Sequence, residues 1–205
     1  MCFYSKLSKT AIELENRFNA KIDKIELFTP TNQFNGFTFP KTPVISNANS
    51  RLINLFQWGL IPNWVKDDSI KQYTLNAKIE TLNEKPAFKN SVNNRCLVIA
   101  DGFYEWKWLD EKGKQKQKYL ITLPDCNLFA FAGIWSNWVN IKTGEIINTY
   151  SIITTEANEL MAEIHNSKKR MPVILSKTNE WKWLDGDEIN KFKKVSVDLL
   201  AKEIS

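Results

Sequence analysis

A strand-rich α+β fold is what the sequence predicts, and three observations lead to it. Short apolar runs recur along the chain and read as strands, two glycine-centred tips read as hairpins, and strands never alternate regularly with helices. The 205 residues show no linker and no low-complexity stretch, so residues 1–205 are expected to form a single domain. No glycine-rich phosphate loop is present.

Taken in order, Ser8 is expected to cap a helix running to about Ala20, with Ala11, Leu14 and Phe18 on one face. Ile25 to Phe28 reads as a short strand and Thr29 to Pro43 as a loop. Pro43-Val44-Ile45 and Leu52 to Trp58 read as strands, and Gly59 to Trp64 as a bend. Pro86 begins a short helical piece that ends near Ser91. Arg95 to Ala100 is a strongly apolar strand, broken at Asp101-Gly102 and resumed from Phe103 to Trp108. Lys112-Gly113-Lys114 and Lys142-Thr143-Gly144 read as hairpin tips, with strands at Tyr119 to Leu123, Leu128 to Trp138 and Tyr150 to Thr154. Thr155 to Ile164 reads as a helix with Glu156 and Glu159 in its first turn. Met171 to Leu175 reads as a strand, Lys177 to Leu184 as a helix, and the tail as mixed. The hexapeptide Glu-Trp-Lys-Trp-Leu-Asp occurs at 105–110 and again at 180–185, apparently in different secondary structure, which argues against repeat architecture.

No run approaches the roughly 20 apolar residues of a membrane helix, and the first residues lack the apolar core of a signal peptide. A cytoplasmic protein is expected. Three widely spaced cysteines, Cys2, Cys96 and Cys126, with one histidine, give neither a disulfide framework nor a zinc ligand set. No cofactor and no metal are expected. A net charge of +5 only modestly favours nucleic acid as a partner. Eight tryptophans beside basic residues would suit unpaired bases, although most are expected to be core.

Four residues can carry chemistry. Cys2 becomes N-terminal if Met1 is removed, and then offers an α-amine and a thiol on adjacent carbons. The amine can form a Schiff base with an aldehyde, and the thiol can close it to a thiazolidine. An α-amine of pKa about 7.7–8.0 is appreciably neutral near pH 7.5, whereas a lysine at about 10.4 is not. By position alone, Cys2 reads more readily as part of a frayed terminus. His165 is the one side chain titrating near neutrality, at the end of a helix whose dipole would favour its protonated form, while the basic run Lys168-Lys169-Arg170 that follows would oppose it. It also reads as a plain helix cap. Glu105, among aromatics, is expected to be partly desolvated with a raised pKa, or else to be a surface strand residue. Asn76 can orient a nucleophile or cap a turn.

In combination these residues sit in blocks that resemble the SRAP family, the SOS response-associated peptidases or abasic-site-processing proteins. The blocks are Met1-Cys2, Trp58-Gly59-Leu60-Ile61-Pro62-Asn63-Trp64, Asn76-Ala77-Lys78-Ile79-Glu80-Thr81, and Arg95-Cys96-Leu97-Val98 with Ala100-Asp101-Gly102-Phe103-Tyr104-Glu105-Trp106. Then follow Phe131-Ala132-Gly133-Ile134-Trp135, Ile152-Ile153-Thr154-Thr155 with Ala157-Asn158, and His165 with Arg170-Met171-Pro172-Val173-Ile174-Leu175.

The resemblance implies a barrel-like mixed β-sheet flanked by helices. It also implies a covalent thiazolidine crosslink between Cys2 and an abasic site in single-stranded DNA, after autocatalytic loss of Met1. Cys2 would be the nucleophile, Asn76 would hold it and the sugar, Glu105 would assist Schiff-base formation, and His165 would handle ring opening and reversal. Tyr4, Trp64, Lys78, Thr154 and Arg170 would contact DNA, and a monomer would suffice. Three places depart from the family: Phe3-Tyr4 replaces the common Gly-Arg, Lys78 replaces the usual arginine, and the gap from His165 to Arg170 is longer than usual. A cysteine peptidase acting on proteins, with Cys2 and His165 as a nucleophile–base pair, and a non-catalytic single-strand binder are the alternatives.

Overall fold

The computed structural model describes residues 2–204. In chain order its strands and helices are β1 (Tyr4–Leu7), α1 (Ala11–Phe18), β2 (Lys21–Ile22), β3 (Thr31–Asn35), β4 (Lys41–Ser46), β5 (Asn49–Trp58), β6 (Asn76–Lys78), α2 (Pro86–Lys89), β7 (Arg95–Ala100) and β8 (Gly102–Trp108). They continue with β9 (Lys116–Thr122), β10 (Phe129–Val139), β11 (Ile146–Glu156), α3 (Glu159–Ile164), β12 (Arg170–Pro172), β13 (Ile174–Leu175), α4 (Lys177–Leu184) and β14 (Leu200–Ile204).

Five strands close on themselves. β11 pairs with β10, β10 with β7, β7 with β4, β4 with β5, and β5 returns to β11 through the parallel pairs Thr149↔Gln57 and Tyr150↔Trp58. This is the barrel-like mixed sheet the sequence led us to expect. Closure removes the two free edges these strands would otherwise present. A second sheet is wholly antiparallel, in the order β14-β9-β8-β1-β3.

Side chains alternate across each barrel strand and feed two buried clusters. In β4, Ile45 joins a cluster with Leu14, Phe18 and Trp183, while its neighbour Val44 joins another with Cys2, Trp58, Phe103, Phe131 and Met161. Trp58, Trp135, Trp138 and Trp183 are buried, and Trp64 and Trp181 are exposed. Gly133 in β10 lies where strands crowd: an added Cβ would stand 2.8 Å from the Cys96 Sγ and 3.0 Å from the Val98 Cγ2.

Several boundaries differ from the sequence expectation, each for a physical reason. Ser8 does not cap α1, because its N–H and Oγ both donate to Asp101, at 3.0 and 2.6 Å. Thr10 caps it instead, in a reciprocal pair with Glu13, and the helix stops at Phe18 with Asn19 in the left-handed region at φ 49°. Ile25 to Phe28 is a 3-10 turn rather than a strand; Ile25 and Leu27 both face solvent, so their alternation buries nothing.

Within the expected loop, Thr31–Asn35 forms β3, an edge strand held to β1 by backbone pairing that its polar side chains do not advertise. β11 continues through Thr155 to Glu156 because β12 pairs with it there. Helix α3 therefore starts only at Glu159, capped by Asn158, whose Oδ1 accepts from Met161 N at 2.9 Å. The repeated hexapeptide spans strand β8 in one copy and helix α4 in the other.

Gly133→Val should overpack the crowded barrel wall and cost about 1–3 kcal/mol. Equilibrium denaturation should show a lower midpoint at an unchanged slope.

Candidate active site

The site begins with how the front of the chain is held. β1 pairs with β8 through Tyr4↔Tyr104, Ser5↔Phe103 and Lys6↔Gly102. Buried Asp101 fixes that register, accepting from Lys6 Nζ at 3.0 Å as well as from Ser8. Cys2, just before β1, is fully buried. Asn76, the first residue of β6, donates from Nδ2 to the Cys2 carbonyl oxygen at 2.9 Å. β6 is placed by parallel pairing with β11, Asn76 opposite Ile152. The Cys2 thiol lies 3.8 Å from the Tyr4 carbonyl. Burial, with the Glu105 carboxylate adding to it, pushes that thiol far above the ordinary cysteine range.

β8 runs on to Trp108, beyond the residues that pair with β1. Beside this stretch opens a cavity of about 450 Å³ lined by Phe3, Tyr4, Glu105, Trp106, Trp108, Lys116 and His165. Glu105 is buried, and burial pushes its carboxyl up to about 7. It therefore exchanges protons near neutrality, where acid–base work is most efficient.

His165 forms the C-cap of α3, and its Nδ1 lies 2.7 Å from the Arg170 carbonyl. With Nδ1–H donating to that oxygen, Nε2 is the unprotonated nitrogen. Burial pushes the ring down to about 4. This corrects the expectation that the helix dipole would favour the protonated imidazole. Helix α3 is only six residues long, and desolvation outweighs its field.

The sequence-predicted residues thus divide. Cys2 and Asn76 are bonded to one another, and Glu105, His165 and Tyr4 share the cavity wall. The Tyr4 ring lies 4.9 Å from that of Trp106. Lys78 is exposed on β6, two residues after Asn76. Trp64 is 55% exposed but lies outside the cavity lining, in a bend tied down by the Trp138 indole donating to Val65 O at 2.8 Å.

Thr154 is fully buried and offers no surface; its oxygens receive the Arg170 guanidinium, the carbonyl at 2.7 Å. Arg170 also meets Glu80 in a two-pronged ion pair at 2.8 and 2.9 Å. Sequence reasoning missed Phe3, Trp106, Trp108 and Lys116 as lining residues. A signal existed for Lys116, because the predicted hairpin tip at 112–114 sets the register Trp108↔Lys116. Among the described residues, no cluster of three or more His, Cys, Asp or Glu gathers as a metal site, and no helix is long and apolar enough to cross a membrane.

Comparison with known proteins follows from this geometry. A family model described as SOS response associated peptidase (SRAP) matches residues 1–204. Abasic site processing protein YoqW of Bacillus subtilis is 46% identical over 143 residues, 69% of this chain and 61% of YoqW. Abasic site processing protein HMCES of Gallus gallus is 34% identical over 168 residues, 70% of this chain and 48% of HMCES. The chain thus spans less than two thirds of the length of these curated relatives. A crystal structure of a protein from Bacteroides thetaiotaomicron superposes with a TM-score of 0.91 at 34% identity, covering 100% of this chain and 92% of that one. Another, from Bordetella bronchiseptica, gives 0.83 at 22%, a likeness of fold alone.

His165 is the only histidine, so one imidazole signal in proton NMR reports it without ambiguity. Its midpoint is expected near 4 rather than 6.5. A pKa lowered on folding gives stability that is present above about 6.5 and lost as pH falls toward 4. Acid unfolding of His165→Asn should lack that part of the loss.

Proposed function

The chain belongs to the SOS response-associated peptidase family, and from that premise we propose that it processes abasic sites in DNA, the task its relatives are named for. In detail, it forms a covalent crosslink through Cys2 to the ring-opened sugar of an abasic site in single-stranded DNA. The observation that supports this most is the Asn76 hydrogen bond to the Cys2 carbonyl, which holds the front of the chain beside the cavity walled by Glu105 and His165.

Removal of Met1, which lies outside the described residues, converts the Cys2 nitrogen from an unreactive amide to an amine. That amine adds to the C1′ aldehyde, and the carbinolamine loses water to give an imine. The thiol then adds to the imine carbon while its proton passes to nitrogen, closing a thiazolidine. Glu105, near 7, supplies a proton to the departing hydroxyl and accepts one from the amine. Neutral His165 takes the C1′ hydroxyl proton as the sugar ring opens, and the ring oxygen leaving C1′ takes up a proton from water to become the 4′ hydroxyl. Asn76 fixes the reacting residue, and exposed Lys78 offers a point charge to phosphate. Peptidase action on other proteins would need His165 to draw the proton from a thiol held far above its ordinary range.

Intact-mass analysis after incubation with an abasic single-stranded oligonucleotide tests the chemistry. The expected product has the mass of the chain without Met1 plus the oligonucleotide minus one water. Cys2→Ala should give none; an undiminished adduct in that variant would overturn the assignment of Cys2. Salt-sensitive binding with no covalent product in the parent chain would leave only a single-strand binder. Glu105→Gln should slow adduct formation by roughly 10²-fold or more, read as a single-turnover rate.

A further inference from the structure

The segment Asn166-Ser167-Lys168-Lys169, which lengthens the gap from His165 to Arg170, is fastened to the sheet at one point. Trp108 N donates to the Asn166 Oδ1 at 3.1 Å, and the Asn166 Nδ2 donates to the Trp108 carbonyl at 2.9 Å. One side-chain amide thus takes both backbone groups of a strand residue, as a neighbouring strand would. It does so on the part of β8 that runs on past the pairing with β1. That part also carries Glu105, Trp106 and Trp108 into the cavity wall. A second strut joins β8 to the helix that precedes the segment, with Lys107 Nζ at 2.6 Å from Glu163 Oε1 on α3.

We propose that Asn166 is a positioning residue: by acting as a one-residue strand on β8, it fixes the His165 imidazole against Glu105 across the cavity. Three features point the same way. Asn166 directly follows His165, so little chain slack separates the fastened amide from the imidazole. The His165 carbonyl accepts from both Lys168 and Lys169 N–H, at 3.3 and 2.8 Å, so the segment is a closed turn and not a loose loop. The far end of the turn is also pinned, Ala157 N donating to Lys169 O at 3.0 Å. Fastened at Trp108 and at Ala157, the turn holds the backbone that carries the imidazole, whose Nδ1 lies 2.7 Å from the Arg170 carbonyl. The inference rests on the acid–base role proposed for His165, because positioning matters only if the imidazole reacts.

Asn166 is exposed, so Asn166→Ala should fold. The charged groups around His165, namely the α-amino group at the front of the chain, Arg170 and Lys168, with Glu105 and Lys116 in the same cavity lining, are the same in the variant and the parent chain. The expected result has two parts. Single-turnover adduct formation on abasic single-stranded DNA slows by roughly tenfold at an unchanged Kd, since small misplacements of a reacting group are costly. In the DNA-free protein, the His165 NMR titration midpoint rises from about 4 toward 6.5 as the ring gains access to water. Asn166→Asp keeps the acceptor and loses the donor, so its rate should fall between the two; its midpoint is no guide, because the added carboxylate itself raises the imidazole. Parent-like values of both quantities in Asn166→Ala would overturn the proposal, as would a slowed rate with an unmoved midpoint. If the parent chain forms no adduct at all, the proposed function fails. The NMR titration, which needs no DNA, then still decides whether Asn166 holds the imidazole.

Discussion

Asp101 sits almost fully buried at the break between β7 and β8, and its two carboxylate oxygens take three donors from the first eight residues of the chain. A buried carboxylate is tolerable only when its lone pairs are met, and here a lysine ammonium, a backbone N–H and a hydroxyl meet them. The interaction sets the register of β1 on β8. Cys2 lies two residues before that strand and Glu105 one residue beyond its pairing partners, so both are placed by the same clamp. Without it the front of the chain would be held only by strand pairing and by the Asn76 bond to the Cys2 carbonyl. With it, a residue at position 2 is as well located as one in the core.

Burial then sets the chemistry. The same removal from water that pushes Glu105 up to about 7 pushes His165 down to about 4, so both groups reach neutral pH closer to uncharged than free side chains would. The Arg170 side chain turns to Glu80 and the Thr154 carbonyl. Its backbone carbonyl meets the imidazole, and its charge adds to the lowering of the ring.

Much of this was legible before any coordinates. The strands of the barrel and the two hairpins follow from apolar runs and glycine tips, because burial of alternate side chains is written into the residues themselves. Helix α4 was legible to the residue because Ser176 caps it. β3 was not, since an edge strand is held by backbone groups that every residue carries. The late start of α3 was equally hidden, because β12 pairs with β11 from far along the chain. Within the site, Cys2, Asn76, Glu105 and His165 stood out by type and motif. The state of His165 did not. A helix dipole can be guessed from sequence, whereas the depth at which a ring is buried cannot. Thr154 and Arg170 illustrate the same limit: their residue types suggest surface contacts, and their packing turns them inward.

The hexapeptide that occurs twice, once in β8 and once in α4, has a consequence for how such chains are compared. Both copies bury their glutamate, and in both burial raises the carboxyl. In α4 the acid faces Arg17 and is bound to it by two prongs, at 2.6 and 3.1 Å. In β8 it faces a water-reachable hollow beside a histidine. Six identical letters therefore describe a silent brace in one place and a cavity-lining acid in the other. Swapping the two segments would conserve every residue in them, and any alignment confined to that window would be blind to the exchange. What distinguishes them is who stands opposite, a property that belongs to the fold and to no stretch of text within it.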